Sequence, residues 1–205
     1  MPNDPRICVI DDDDAMRDSL SFLLDSAELG ADTYDSAIAF LQALPGLDPA
    51  CIITDVRMPE ISGTDLLRQL NDMGRAIPVI VITGHGDISL AVEAMKLGAA
   101  DFLEKPFADE VFIGAVRAAL ERGKAGAEIR AERTAVIERL ALLSARERDV
   151  LQGLVSGHPN KTIAYDLGIS PRTVEVYRSN LMSKLRASSL SDLVRMALLA
   201  GGLGL

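Results

Sequence analysis

Hydrophobic positions in the first part of the chain follow two alternating patterns. Ile7–Ile10, Cys51–Thr54, Val79–Ile82 and Asp101–Leu103 are short runs dominated by apolar, often β-branched residues, and Asp32–Tyr34 is a weaker one. Continuous runs of this length predict parallel strands covered on both faces. Between them, residues 14–28, 36–44, 63–73, 88–97 and 109–121 are amphipathic with helical spacing. Ser62, with Asp65 three places on, supplies a start signal for one of these helices. Five strands alternating with five helices predict a doubly wound α/β domain.

The pattern then changes. Glu121 to Leu140 is rich in Ala, Glu and Arg and predicts a charged helical linker, weakened by Gly123 and Gly126. Four short helical signals follow. Ser144 with Glu147 predicts a capping box, Asn160 a second cap, Ser170-Pro171 a cap with proline in the first turn, and Ser189 with Asp192 a fourth. Gly168 ends the second helix just before Ser170 begins the third, which is the helix-turn-helix pattern. The predicted division is 1–122 for the α/β domain, 123–138 for the linker and 139–205 for an all-α four-helix domain.

Charge sharpens that division. Residues 1–123 carry 9 basic against 22 acidic side chains, or −13; residues 124–205 carry 12 against 8, or +4, within a chain total of −9. An acidic first part repels nucleic acid, whereas a basic second part attracts phosphates. No run reaches the ~20 apolar residues of a membrane span, and the N-terminus lacks a basic stretch followed by an apolar one. A cytoplasmic chain with no membrane partner is expected. Cys8 and Cys51 lie in apolar runs and predict buried free thiols. His85 and His158 have no Cys or second His at ligand spacing, so no metal site is expected at either.

The chemistry gathers at predicted strand ends. Asp11 to Asp14 follow Ile10, Asp55 follows Thr54, Thr83 ends the fourth strand, and Glu104-Lys105-Pro106 closes the fifth. In an open parallel sheet of order 2-1-3-4-5, ligands sit beyond the carboxyl ends at the switch point between strands one and three. Asp11, Asp12 and Asp55 are therefore expected to converge. Carboxylates that close need a cation, and oxygen donors suit Mg²⁺. A carboxylate can accept a phosphoryl group as an acyl phosphate, Lys105 can neutralise its oxygens, and Thr83 can donate to it. Alone, an acidic run is a solvated loop favoured by a helix N-terminus; all four features at strand ends argue for a phosphate site.

Val9-Ile10-Asp11-Asp12, Thr54-Asp55-Val56-Arg57-Met58-Pro59, Ser62-Gly63, Ile82-Thr83-Gly84 and Lys105-Pro106-Phe107 resemble the receiver domain of two-component response regulators. The resemblance implies a flavodoxin-like fold and makes Asp55 the phosphoacceptor. Asp11, Asp12, Asp55 and the backbone carbonyl of Arg57 would bind Mg²⁺, Thr83 and Phe102 would form a switch pair, and Lys105 would contact phosphate. Thr83-Gly84-His85-Gly86-Asp87 and Ala91 to Lys96 narrow the resemblance to the NarL/FixJ family. An alternative is a haloacid-dehalogenase-type phosphatase, whose nucleophile motif Asp11-x-Asp13 fits superficially. That family expects Thr or Val where Ala15 stands, and it leaves Asp55 and the second domain unexplained.

On the third helix of the second domain, steps of 100° place Val174, Tyr177, Leu181 and Leu185 on an inner face. Arg172, Glu175, Val176, Ser179 and Ser183 lie opposite, with Asn180 at the margin. Val176 suits a thymine methyl and Glu175 a cytosine amino group in the major groove. Arg172, Arg178, Lys184, Lys161 and Thr173 are candidates for backbone phosphates. For any one of them the plainer reading is a solvated charged face. Leu143 to Leu151, Asn160 to Ala164 and Ile169 to Val176 together resemble the LuxR/NarL-type effector domain, with Tyr177 replacing a histidine common there. The combined resemblance implies a transcription activator rather than an enzyme, with phosphoryl transfer to Asp55 as its only self-catalysed step. Its implied partners are a sensor histidine kinase (an oxygen-sensing haem kinase in this family), promoter DNA, RNA polymerase and, when phosphorylated, a second copy. Nitrogen-fixation or microaerobic genes are the implied targets, or another regulon under a different kinase.

Overall fold

The computed structural model describes residues 6–84 and 88–201, and it divides into two compact units, Met1–Gly126 and Ala127–Leu205. In the first unit, strands β1 (Ile7–Ile10), β2 (Ala31–Tyr34), β3 (Cys51–Asp55), β4 (Val79–Thr83) and β5 (Asp101–Glu104) pair in parallel in the order 2-1-3-4-5. They alternate with α1 (Asp14–Ser26), α2 (Ala37–Ala43), α3 (Gly63–Asp72) and α4 (Ile88–Lys96), and α5 (Asp109–Ala141) follows β5.

Side-chain alternation sorts the core into two layers. Cys8, Ile10, Ile52, Val79 and Val81 pack with Phe40, Leu66, Leu70 and Ala94 from α2, α3 and α4. Ile7, Val9, Cys51, Ile53, Ile80 and Ile82 pack with Leu20, Leu24, Phe112 and Val116 from α1 and α5. Strands β1, β3 and β4 are buried throughout, as the unbroken apolar runs require; the edge strands β2 and β5 are only partly covered. Both cysteines are buried and unbonded, and burial pushes their thiols up to about 11 for Cys8 and about 12 for Cys51.

One boundary differs from the sequence pattern. The fifth helix does not stop near residue 121 but runs through Gly123 and Gly126 to Ala141. Gly123 serves close approach: a Cβ there would lie 3.0 Å from Pro78 Cγ and 3.3 Å from the Ala50 carbonyl oxygen. The weak helix former is kept for packing and the turns on either side carry the helix through.

In the second unit, α6 (Ala145–Val155), α7 (Asn160–Leu167), α8 (Pro171–Leu185) and α9 (Leu190–Leu199) enclose a core of Val150, Leu151, Ile163, Val174, Leu181, Leu185 and Leu193, joined by Val136 from the end of α5. Ser144, Ser170 and Ser189 cap as expected, and Gly168 takes the left-handed conformation (φ 64°) that ends α7. Asn160 does not cap α7. Pro159 occupies the cap position without a side-chain bond, and its carbonyl takes the Thr162 N–H at 2.9 Å. Among the described residues, no helix is long and apolar enough to cross a membrane.

Candidate functional site: an acidic strand-end pocket and a helix-turn-helix face

The strand register brings the predicted carboxylates together. Ile10 pairs with Thr54 across β1 and β3, so the residues that follow them, Asp11 and Asp55, leave the sheet side by side. Asp11 is 2% exposed and Asp55 9%, whereas Asp12 is exposed. Lys105, reaching in from the end of β5, lies 2.6 Å from Asp55 Oδ1 and 3.2 Å from Asp11 Oδ2. The other Asp55 oxygen accepts the Arg57 N–H at 2.6 Å. Burial pushes the Asp11 carboxyl above the usual range, against the pull of the Asp13 N–H and Lys105. For Lys105, burial alone would lower the ammonium pKa, and the bond and charge of Asp55, with Asp11 behind it, outweigh that and raise it.

Among the described residues, no three Asp, Glu, His or Cys side chains form a preformed ion cage. The donor set nevertheless fits a hard divalent cation in kind. It is oxygen throughout, and two buried carboxylates plus an exposed third outnumber the single ammonium beside them.

Two supports of this pocket were given no role by the sequence pattern. Arg17, on α1, donates to the Asp11 carbonyl at 2.6 Å and pairs with Asp14, with only 14% of its side chain exposed. Asp13 caps α1 by accepting the Ala15 N–H, and its own N–H donates to Asp11 Oδ1 at 2.9 Å. The acidic run is thus half site and half helix start. The second support is Gly63, where a Cβ would meet the Asp55 carbonyl oxygen at 2.3 Å. Only a glycine lets α3 begin this close to the end of β3. In the sequence it stands only as part of the Ser62-Gly63 segment, with no reason given for the glycine.

Thr83 is 2% exposed and its hydroxyl donates to the Gly84 carbonyl at 3.3 Å, while Phe102 on β5 is 40% exposed. His85, with Gly86 and Asp87, lies outside the described residues.

The inner face of α8 is as the helical wheel sets it. Val174, Leu181 and Leu185 are buried, and Tyr177 packs partly buried against them. Arg172, Glu175, Ser179 and Asn180 are exposed, and Val176 is 56% exposed. Thr173 is partly covered, its N–H spent on the Ser170 cap. Lys161 and the half-buried Arg178 line one cavity of about 500 Å³ together with His158 and Asn160. Lys184 is paired with Glu147 at 2.8 Å, with 42% of its side chain exposed. Lys184 and the Ser144 N–H hold the Glu147 carboxyl below the usual carboxylate range despite its burial.

Comparison with known proteins covers both halves. The family described as response regulator receiver domain matches residues 7–117, and that of bacterial regulatory proteins, luxR family, matches 141–197. The transcriptional regulatory protein FixJ of Azorhizobium caulinodans is 61% identical across 98% of this chain and 95% of its own length. Full-length FixJ from B. japonicum is similar in structure with a TM-score of 0.61, at 52% identity over 96% of this chain and 97% of that one. The response regulator StyR matches with a TM-score of 0.81, at 38% identity over 96% and 99%. With both halves matched to these families and the relatives aligned over nearly the whole chain, the phosphatase alternative falls away. Receiver and luxR-type halves, in that order and over nearly the full length of these relatives, place the chain in the family of FixJ-like response regulators that regulate transcription.

Proposed function

We propose that a phosphoryl group carried on Asp55 switches this regulator, and that a sensor histidine kinase supplies it. The supporting observation is the state of the Asp55 carboxylate: one oxygen on Lys105 at 2.6 Å, the other on the Arg57 N–H at 2.6 Å. Held so, an oxygen of Asp55 attacks phosphorus as the bond to the kinase histidine nitrogen breaks, and the imidazole leaves. Lys105 meets the negative charge that spreads over the phosphoryl oxygens. The carboxylates of Asp11, Asp12 and Asp55 and the carbonyl of Arg57 would hold Mg²⁺, which supplies further charge neutralisation when bound. The Thr83 hydroxyl turns to the phosphate, and Phe102 fills the space it leaves, biasing a two-state switch. The face formed by α4 and β5 then pairs two copies.

In this reading residues 1–122 act as receiver, 123–138 as linker and 139–205 as effector. Within the effector, α8 enters the major groove of promoter DNA. Glu175, Val176, Ser179 and Asn180 face base edges, and Lys161, Arg172, Thr173 and Arg178 face phosphates. The bound dimer works with RNA polymerase in the cytoplasm. By the family resemblance, the kinase is an oxygen-sensing haem kinase and the targets are nitrogen-fixation or microaerobic genes. The full-length likeness to StyR keeps open the same mechanism under another kinase and regulon.

Incubation with acetyl phosphate and Mg²⁺ should add one phosphoryl mass to the intact chain and strengthen its shift of promoter duplexes. Asp55→Asn, or chelation with EDTA, should abolish both changes. An unchanged mass gain in Asp55→Asn would remove Asp55 as the acceptor.

A further inference from the structure

The last turn of α8 is held from two sides. Arg139, in the last turn of α5, donates to the Leu185 carbonyl at 3.3 Å, and Lys184 donates to Glu147 Oε2 at 2.8 Å. The same Glu147 oxygen accepts the Ser144 N–H at 2.8 Å. One carboxylate oxygen therefore ties the start of α6 to the end of α8. Glu147 is 3% exposed, and covering a charge from solvent is costly unless its partners stay in place. Helix capping does not demand this arrangement, because Ser144 already takes the Glu147 N–H and a solvent-facing glutamate would complete the box. The pair also withdraws a cation from the helix that exposes Arg172, Glu175 and Val176.

We propose that Glu147 is a positioning residue for DNA readout: by holding Lys184 it pins the end of α8 and fixes the helix's rotation about its own axis. This rests on α8 being the groove helix. A side chain at Glu175 or Val176 meets its base edge only in one rotation, whereas a backbone phosphate contact tolerates several. Released, Lys184 would follow the nearest phosphate, and α8 would gain affinity for any sequence while losing discrimination. The pair thus favours specificity over raw affinity.

The test uses the full chain phosphorylated with acetyl phosphate. The two probes are a duplex that the wild type selects from a random pool and a scrambled duplex of equal composition. Glu147→Gln keeps an acceptor for Ser144 but drops the charge. It should lower the ratio of specific to non-specific affinity about tenfold, the worth of one misplaced base contact. It should also steepen the salt dependence of non-specific binding by about 0.9 in log–log slope, one added phosphate contact. Lys184→Met should lower the ratio without steepening, Lys184→Arg should restore it, and the double variant should be no worse than either single one. A purely structural role would move the melting temperature and both affinities together, leaving the ratio where it was. Unchanged ratios in Glu147→Gln and Lys184→Met overturn the inference. So does a Lys184→Met variant that loses both affinities equally with a slope shallower by about 0.9, which makes Lys184 a direct phosphate contact. A pool that yields no shared sequence overturns the reading of α8 itself, and the inference with it.

Discussion

The acidic pocket and the α8 face are both polar sites, yet they handle charge in opposite ways. In the pocket, Asp11 and Asp55 are buried and share one ammonium at 3.2 and 2.6 Å. On α8, Arg172 and Glu175 are exposed, and the charged side chain tied down most firmly nearby, Glu147, faces inward. A group transfer gains from charges fixed in advance in a dry site, where each is worth more than in water. Docking on DNA gains from mobile cations in solvent that trade counterions with phosphates. The first site should therefore be sensitive to single substitutions and the second to ionic strength.

Lys105→Met tests the first half of that contrast and carries the largest expected effect. It removes the ammonium that two buried carboxylates share. Phosphorylation by acetyl phosphate should slow about 10²–10³-fold, as for loss of one fixed electrostatic contact. Quenched time courses followed by intact mass would measure it, and a loss below about threefold would mean that Lys105 is not aimed at the developing charge.

The glycines offer a matched comparison between the units. A Cβ at Gly63 meets backbone, the Asp55 carbonyl at 2.3 Å, whereas one at Gly153 meets the Ile163 side chain at 2.7 Å. Backbone cannot rotate aside and a side chain can. Gly63→Ala should cost about 2–3 kcal/mol of receiver stability and slow phosphorylation, and Gly153→Ala about 1–2 kcal/mol of effector stability. Denaturant unfolding with separate probes for the two units decides the order. Equal losses would mean that α3 shifts away from Asp55 freely.

Much of this was legible in the sequence because parallel strands leave a simple trace. The unbroken apolar runs located β1, β3 and β4, and whatever follows such a run in an α/β sheet falls at the ligand-binding edge. That Asp11, Asp55 and Lys105 meet at one strand end was read that way, as was the inner face of α8 by its helical period. What escaped depends on which elements meet. Gly123 reads as a breaker until Pro78 and Ala50 are seen against it. Nothing in the local sequence shows that Lys184 pairs with Glu147 of α6 or that Arg17 reaches the Asp11 carbonyl. Periodicity gives faces; ion pairs need the third dimension.

Ionic strength tests the other half of the contrast. Arg172→Ala should weaken binding to specific and scrambled duplexes alike and reduce the salt slope by about 0.9. Val176→Ala should leave that slope alone and change base preference, by about 1 kcal/mol for one lost methyl contact. Phosphorylation should be identical in both variants, since both positions belong to the other unit. Mobility shifts at two salt concentrations separate the outcomes, and a salt slope that follows Val176 rather than Arg172 would reverse the assigned faces.

The smallest expected effect is a pH dependence confined to the effector. Glu147 has its carboxyl held below the ordinary value of 4.5 by Lys184 and the Ser144 N–H. A carboxyl whose pKa is lower folded than unfolded binds protons more readily when unfolded, so its contribution is complete above the unfolded value. That contribution fades as pH falls through the folded one. Wild type should therefore melt above Glu147→Gln at pH 6, by the worth of about one charge-assisted bond or ~1 kcal/mol. The gap should close between about pH 4.5 and the lower folded value, while the acid titration of all other carboxylates, common to both chains, cancels in the difference. Receiver unfolding supplies the control, because Glu147 belongs to the other unit. A gap that stays constant from pH 6 down to pH 3.5, or one that opens in the receiver signal, would show that the Glu147 charge contributes nothing to holding α6 and α8 together.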